Sequence, residues 1–262
     1  MTYAEVNGVS LWYEEHGAGE PLVLLHGGFW TIEMFGGLLT ALAARRRVIA
    51  VELQGHGHTA DVGRPLRYET MADDVSALIR QLGTGPVDVV GYSLGAGTSL
   101  RVAIQHPDVV RRLVVISMAV RRSGWFPEVL AGMVQLGPEV AEGMKASPLY
   151  ANYARVAPRV EDWPVLATKM GEMLRRDYDW SPEAARIQAR TMLVYADADS
   201  IPISHMGEFY ALLGGGLRDA EWDASKRVAN RLAIVPGRTH YDITAAPSLP
   251  GLIEDFLDDA GA

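Results

Sequence analysis

Cysteine is absent from the 262 residues, which removes disulfides, thiol nucleophiles and thiolate metal sites from consideration. That absence suits a reducing compartment, and a cytoplasmic location is the expectation. Positive charge is scarce: 24 Lys and Arg stand against 32 Asp and Glu, a formal net charge of −8. Phosphate backbones are held by clustered cations, so nucleic acid is not an expected partner. The few basic runs, Arg45-Arg46-Arg47, Arg111-Arg112 and Arg121-Arg122, each border an apolar stretch and read as solvated flanks. No apolar run approaches the roughly 20 residues that cross a bilayer, so no membrane insertion is expected. Met1–Ser10 carries Glu5 and Asn7 and lacks a basic region followed by an apolar one, so no signal peptide is expected. Internal repeats and low-complexity linkers are missing as well.

What is present is an alternation of strand and helix patterns. Short apolar runs at Pro21–Leu25, Val48–Val51, Val87–Val90, Leu113–Ile116, Thr191–Tyr195 and Leu232–Val235 lack polar alternation. Strands of a parallel sheet, buried on both faces, have that character. Between them lie stretches with helical spacing, among them Met34–Leu42, Met71–Leu82, Ser93–His106 and Met206–Leu213. Asn7-Gly8, set between Tyr3–Val6 and Val9–Glu15, is a two-residue hairpin signal. The hairpin pair and the six runs predict an α/β protein with a mostly parallel eight-stranded sheet and helices on both faces.

One stretch breaks the rhythm. From Arg121 to Ala185 no strand is evident, and prolines 127, 138, 148, 158, 164 and 182 divide it into short helical pieces rich in Trp, Tyr and Met. An ordinary connection of this kind is a handful of residues long. Residues 121–185 therefore read as a helical cap, or lid, on a core made of 1–120 and 186–262. The plainer alternative is a set of surface helices with no part in binding.

The chemistry begins where Val87–Val90 runs into Gly91-Tyr92-Ser93-Leu94-Gly95 and then a helix. A G-x-S-x-G segment alone is weak, but a buried strand before it and a helix after it predict a strained elbow that lifts Ser93 above the sheet. Side chains two positions either side would collide, hence the glycines. The alternative is an ordinary turn with Ser93 as helix cap. A serine hydroxyl needs a base, and the base needs an orienting carboxylate. Of seven histidines, His240 follows a strand through a short loop, where active-site groups of open α/β sheets gather. His16, His56, His58, His106 and His205 read as exposed or structural. The acid comes from Asp197 or Asp199 after Thr191–Tyr195. Asp199, further along the loop, is favoured, with Asp197 expected to bond its own loop's backbone. His26-Gly27-Gly28-Phe29-Trp30 can supply an oxyanion donor, the Gly28 N–H, beside that of Leu94.

In order, these segments resemble the α/β-hydrolase superfamily, in its lid-bearing esterase, lactonase and perhydrolase-like branch. The similarity covers the His26-Gly27 segment, Glu52-Leu53-Gln54-Gly55-His56-Gly57-His58-Thr59, the Ser93 elbow, the Asp199 loop and His240. It implies Ser93 as nucleophile, His240 as general base and Asp199 as orienting acid, with no cofactor or metal. Relatives that dehalogenate or open epoxides carry aspartate at the nucleophile position, so serine implies an acyl-enzyme. The expected substrate is a small, largely apolar carboxylic ester. Lactone, carbon–carbon bond and cofactor-free perhydrolase chemistry stand as alternatives on the same triad, and a non-catalytic hydrolase-like binding protein stands as the other class. Phe29, Trp30 and Tyr92, with Trp125 and Trp163 of the cap, are the expected pocket walls. Two departures from the family pattern stand out. Glu52 occupies a position usually held by Asp, with packing alone expected to change. Gly214 to Asn230 is an extra segment between acid and base, expected as a loop near the site. The oligomeric state is not indicated.

Overall fold

The computed structural model of the protein describes residues 2–259. The chain runs β1 (Thr2–Val6), β2 (Val9–His16), β3 (Pro21–Leu25), α1 (Gly37–Ala43), β4 (Arg47–Val51), α2 (Tyr68–Leu82), β5 (Val87–Tyr92), α3 (Leu94–Gln105) and β6 (Val110–Ile116). Five helices follow: α4 (Pro127–Gln135), α5 (Pro138–Gly143), α6 (Pro148–Val156), α7 (Trp163–Arg175) and α8 (Ser181–Ala184). The core resumes with β7 (Arg190–Ala198), α9 (Ile203–Leu212), β8 (Arg231–Thr239) and α10 (Leu249–Asp258).

The strands form one sheet in the order β1-β2-β4-β3-β5-β6-β7-β8. β1 and β2 pair antiparallel around Asn7 (φ 48°) and Gly8 (φ 80°), the positive pair that a two-residue hairpin turn demands. β2 joins β4 antiparallel, and from β4 to β8 every pairing is parallel. Alternate residues of β3–β7 enter separate cores. Val23 and Leu25 face α2 and α3, whereas Leu22 and Leu24 face α1 and α10. That two-sided burial is why the runs are apolar without alternation.

The strands outrun their apolar signatures at the C-terminal ends. β7 continues through Asp197 to Ala198 and β8 to Thr239, because the ladder persists after the flanking helices stop covering it. The single helix expected near Met34–Leu42 is instead a 3-10 turn, Ile32–Phe35, followed by α1, broken where Gly36 takes φ 50° and ψ −123°. Arg46, expected in solvent, is buried: its guanidinium donates to Asp88 of β5 at 3.3 Å and Glu254 of α10 at 3.0 Å. Those partners lie far along the chain, so the local run did not disclose them.

Each of α4–α8 has proline in its first turn, where the missing N–H costs nothing. The prolines thus start these helices. The ends of the segment meet: Trp180 N–H donates to Val120 O at 3.0 Å and Arg122 N–H to Tyr178 O at 2.8 Å. The Gly214–Asn230 segment departs from expectation. Asn230 accepts the Thr191 N–H at the start of β7, so the loop lies at the N-terminal end of β7 and β8. His240 follows the opposite end of β8, nine residues away along an extended strand, roughly 30 Å.

Candidate active site

Ser93 sits at φ 51°, ψ −110°, between the last residue of β5 and the first of α3. Its N–H is held by Ile116 O at 2.9 Å. A Cβ on Gly91 would overlap the Gly95 carbonyl, and one on Gly95 would overlap the Leu25 carbonyl of β3. The glycines are thus required by backbone approaching backbone, and the turn aims the Ser93 side chain off the sheet.

The Ser93 Oγ lies 3.1 Å from His240 Nε2, and His240 Nδ1 lies 3.1 Å from Asp199 Oδ1. With the proton on Nδ1 directed at the carboxylate, Nε2 presents its lone pair to the serine hydroxyl. Asp199 is 8% exposed and also accepts from Ser117 Oγ at 2.6 Å, Ala196 N–H at 3.0 Å and Ser200 N–H at 2.8 Å. Tyr92 O–H donates to the His240 carbonyl at 2.7 Å. Ring contacts from Tyr92, Trp125 and Tyr241 confine the imidazole.

Asp197 meets the backbone of its own loop, as expected from sequence, but reaches further. Its carboxylate takes the N–H groups of Gly237 (3.0 Å) and Arg238 (3.2 Å), which hold its pKa below the usual carboxylate range. Both aspartates therefore act on the segment leading to His240, one through the ring and one through the backbone.

Gly28 N–H and Leu94 N–H have no hydrogen-bond partner among the described residues. Leu94 opens α3, so its N–H is one of the donors a helix start leaves over. The two loops are tied together by Gly95 N–H to His26 O at 2.9 Å. His26 is buried, bonded through Nδ1 to Gly27 O (2.7 Å) and accepting Leu53 N–H at Nε2 (3.1 Å). Burial pushes its pKa down to about 3, so the ring is a neutral brace. Glu52 does more than pack. Its carboxylate accepts from Ile32 N–H (3.1 Å), just after the Gly28 loop, and from His58 N–H (2.6 Å), and burial raises its pKa.

Ser93 opens onto a cavity of about 200 Å³ walled by Gly28, Phe29, Tyr68, Leu94, Met118, Trp125, Met133, Met170, Leu174 and Tyr241. Phe29 and Trp125 stand where the sequence placed them. Three aromatic residues do not. Tyr92 and Trp30 belong to the opposite face of the sheet, where their rings meet at a tilt with centroids 4.8 Å apart. Strand parity decides this, since Tyr92 follows Val90 onto the α1/α10 side. Trp163 is fully buried among the cap helices, its indole N–H on Ala141 O at 2.9 Å, and it supports Phe29 from behind. The sequence reading missed Ser117, Tyr68, Tyr241 and the three methionines. Ser117 and Tyr241 carried a signal, one ending a core strand and the other adjoining His240; Tyr68 carried none. Among the described residues no cluster of three His, Asp or Glu side chains could hold a metal ion.

Three comparisons bear on this arrangement. Residues 20–205 match the family model for the alpha/beta hydrolase fold. The 2-(acetamidomethylene)succinate hydrolase of Mesorhizobium japonicum is 31% identical over 242 residues, 92% of this chain and 79% of that protein. The sn-1-specific diacylglycerol lipase ABHD11 of Mus musculus is 40% identical over 103 residues, but the match spans 37% of this chain and only 32% of the lipase. Among solved structures, E-2-(acetamidomethylene)succinate hydrolase superposes with a TM-score of 0.74 at 22% identity, covering 98% of each chain. The match of the family model across most of the chain and the hydrolases among its relatives lead to one conclusion: this chain belongs to the α/β-hydrolase fold family.

Proposed function

We propose that the protein is a serine hydrolase that cleaves small, largely apolar carboxylic esters through an acyl-enzyme. The observation that carries this reading is the unbroken line Ser93–His240–Asp199 opening onto an apolar cavity. His240 Nε2 takes the Ser93 proton as Oγ bonds to the ester carbonyl carbon. Charge moves to the carbonyl oxygen, where the Gly28 and Leu94 N–H groups receive it. The carbon–oxygen bond to the alcohol then breaks, and the alkoxide leaves with the proton from His240. Water repeats the sequence on the acyl-enzyme, releasing the acid and restoring Ser93. Asp199 keeps the ring in the productive tautomer and stabilises the imidazolium.

The cavity holds an acyl group of modest size. Tyr241, 74% exposed, separates it from an open surface groove of about 620 Å³, which is the side for the alcohol. Residues 121–185 act as the specificity lid, contributing Trp125, Met133, Met170 and Leu174 to the wall. No Lys or Arg lines that wall, so a doubly anionic acyl group of the succinate kind finds no cation there. This favours neutral esters over the substrate named for the relative from Mesorhizobium japonicum.

The test is turnover of p-nitrophenyl acetate and butyrate by purified protein and its Ser93→Ala variant, with peptide mapping after a sulfonyl fluoride. Ser93-dependent turnover and a label on Ser93 alone are expected. Equal rates in the two proteins, or a label elsewhere with Ser93 free, would refute the proposal.

A further inference from the structure

Tyr68 opens α2 and is 6% exposed. Its ring is fixed by edge contacts with Trp180 and Tyr178, with centroids 5.2 and 6.2 Å away, and by the bare backbone of Gly97, where a Cβ would overlap the ring. The equally buried tyrosines are all partnered: Tyr92 O–H on His240 O, Tyr153 O–H on Arg159 O and Tyr195 O–H on Met118 O. The Tyr68 hydroxyl has no hydrogen-bond partner among the described residues. Its oxygen is not sealed from solvent-accessible space, so the O–H is free to donate to a molecule that enters there.

Tyr68 stands in the wall of the Ser93 cavity and on its far side borders a second cavity of about 250 Å³ that carries Arg67, Arg176 and Asp177. Gly97, against which its ring rests, is one helical turn beyond Ser93, to whose carbonyl it donates its N–H. The ring thus rests roughly 6 Å along α3 from the Ser93 backbone. Apart from Ser93, Tyr241 at the mouth and the Gly28 and Leu94 N–H groups, the Ser93 cavity is lined by apolar side chains.

We propose that Tyr68 is a specificity-determining residue, donating a hydrogen bond to a neutral acceptor oxygen on the acyl chain. The substrates it selects are esters whose acyl group carries a keto, ether or hydroxyl oxygen a few bonds from the scissile carbonyl. This rests on the ester-hydrolase reading and specifies its substrate class. Burial raises the phenol pKa well above its ordinary range, so Tyr68 is a donor at any working pH. A carboxylate in that position would be buried without a cation and is disfavoured.

The experiment compares kcat/KM for p-nitrophenyl levulinate and its apolar analogue, the pentanoate, in wild type and Tyr68→Phe. The levulinate-to-pentanoate ratio is expected to fall about tenfold on loss of the hydroxyl. An unchanged ratio overturns the proposal, and so does a wild-type preference for the glutarate monoester over levulinate. Binding supplies a measurement independent of turnover. In Ser93→Ala protein, saturation-transfer NMR with butyl methyl ketone should show the Kd rising about tenfold when Tyr68→Phe is added. Equal Kd values in two folded proteins overturn the proposal even where Tyr68→Phe is inactive. Absence of ester turnover in wild type sinks the hydrolase reading instead and leaves the ketone binding to decide Tyr68.

Discussion

Asp199 gathers four donors on two oxygens, and His240 is only one of them. Asp199→Asn keeps the shape but presents an amide where the imidazole N–H must be received. Turnover of a short-chain ester should fall by about four orders of magnitude. Ser117→Ala removes one of the other donors and leaves the carboxylate charged, so a loss nearer tenfold in kcat is expected. Asp197→Asn keeps one of the Gly237 and Arg238 N–H groups on its amide oxygen and loses the other, and should cost less than Asp199→Asn. Steady-state kinetics of the three variants decide this order, and a larger effect at Asp197 would reverse the assignment. At this scale the sequence was informative where chemistry dictates the residue type. Ser93, His240 and the paired glycines are constrained by what an elbow and a base must be. Tyr68, Met118, Met133 and Met170 are ordinary apolar positions whose part in a cavity depends on which helix is folded over them.

The elements divide in the same way. Two-sided burial writes itself into β3–β7 as plain apolar runs, so the sheet was readable. Residues 121–185 were readable as helical, but not in how the helices face one another. Trp125 and Trp163 look alike in sequence, yet one borders the cavity and the other is sealed beneath Phe29. Their truncations should therefore separate. Trp163→Ala leaves a void among α5, α6 and α7 worth about 3–5 kcal/mol of packing, and should raise proteolytic cleavage of those helices under native conditions. Met170→Ala enlarges the wall beside Gly28 and should favour longer acyl chains by tens of fold. The measurements are limited proteolysis for the first variant and kcat/KM for acetate, butyrate and octanoate esters for the second. An altered chain-length preference in Trp163→Ala with unaltered proteolysis would contradict this division.

Across the whole molecule, two buried imidazoles set a limit on acid tolerance. Burial pushes the pKa of His26 down to about 3 and that of His56 to about 4, whereas both titrate near 6.5 once the chain unfolds. The stability tied to their neutral forms is complete above pH 6.5 and declines as pH falls toward those lower values, since the unfolded chain then binds the extra protons. Glu52 and Asp74, whose pKa values burial raises, take up protons in the folded state and blunt the decline. Urea midpoints should fall by the equivalent of about 1–2 kcal/mol per pH unit between pH 6 and 5. The slope should lessen by close to one proton in His56→Gln, and a flat wild-type profile over that range would refute the account. The backbone clasp of Val120 with Trp180 and of Arg122 with Tyr178 has a consequence of another kind. Because departure and return are neighbours, the segment between them is expected to be exchangeable without rebuilding the sheet. A short turn joining Val120 to Trp180 should leave the sheet able to fold with Ser93 and His240 in reach, and a foreign helical insert grafted at the clasp would give the same nucleophile a different diet.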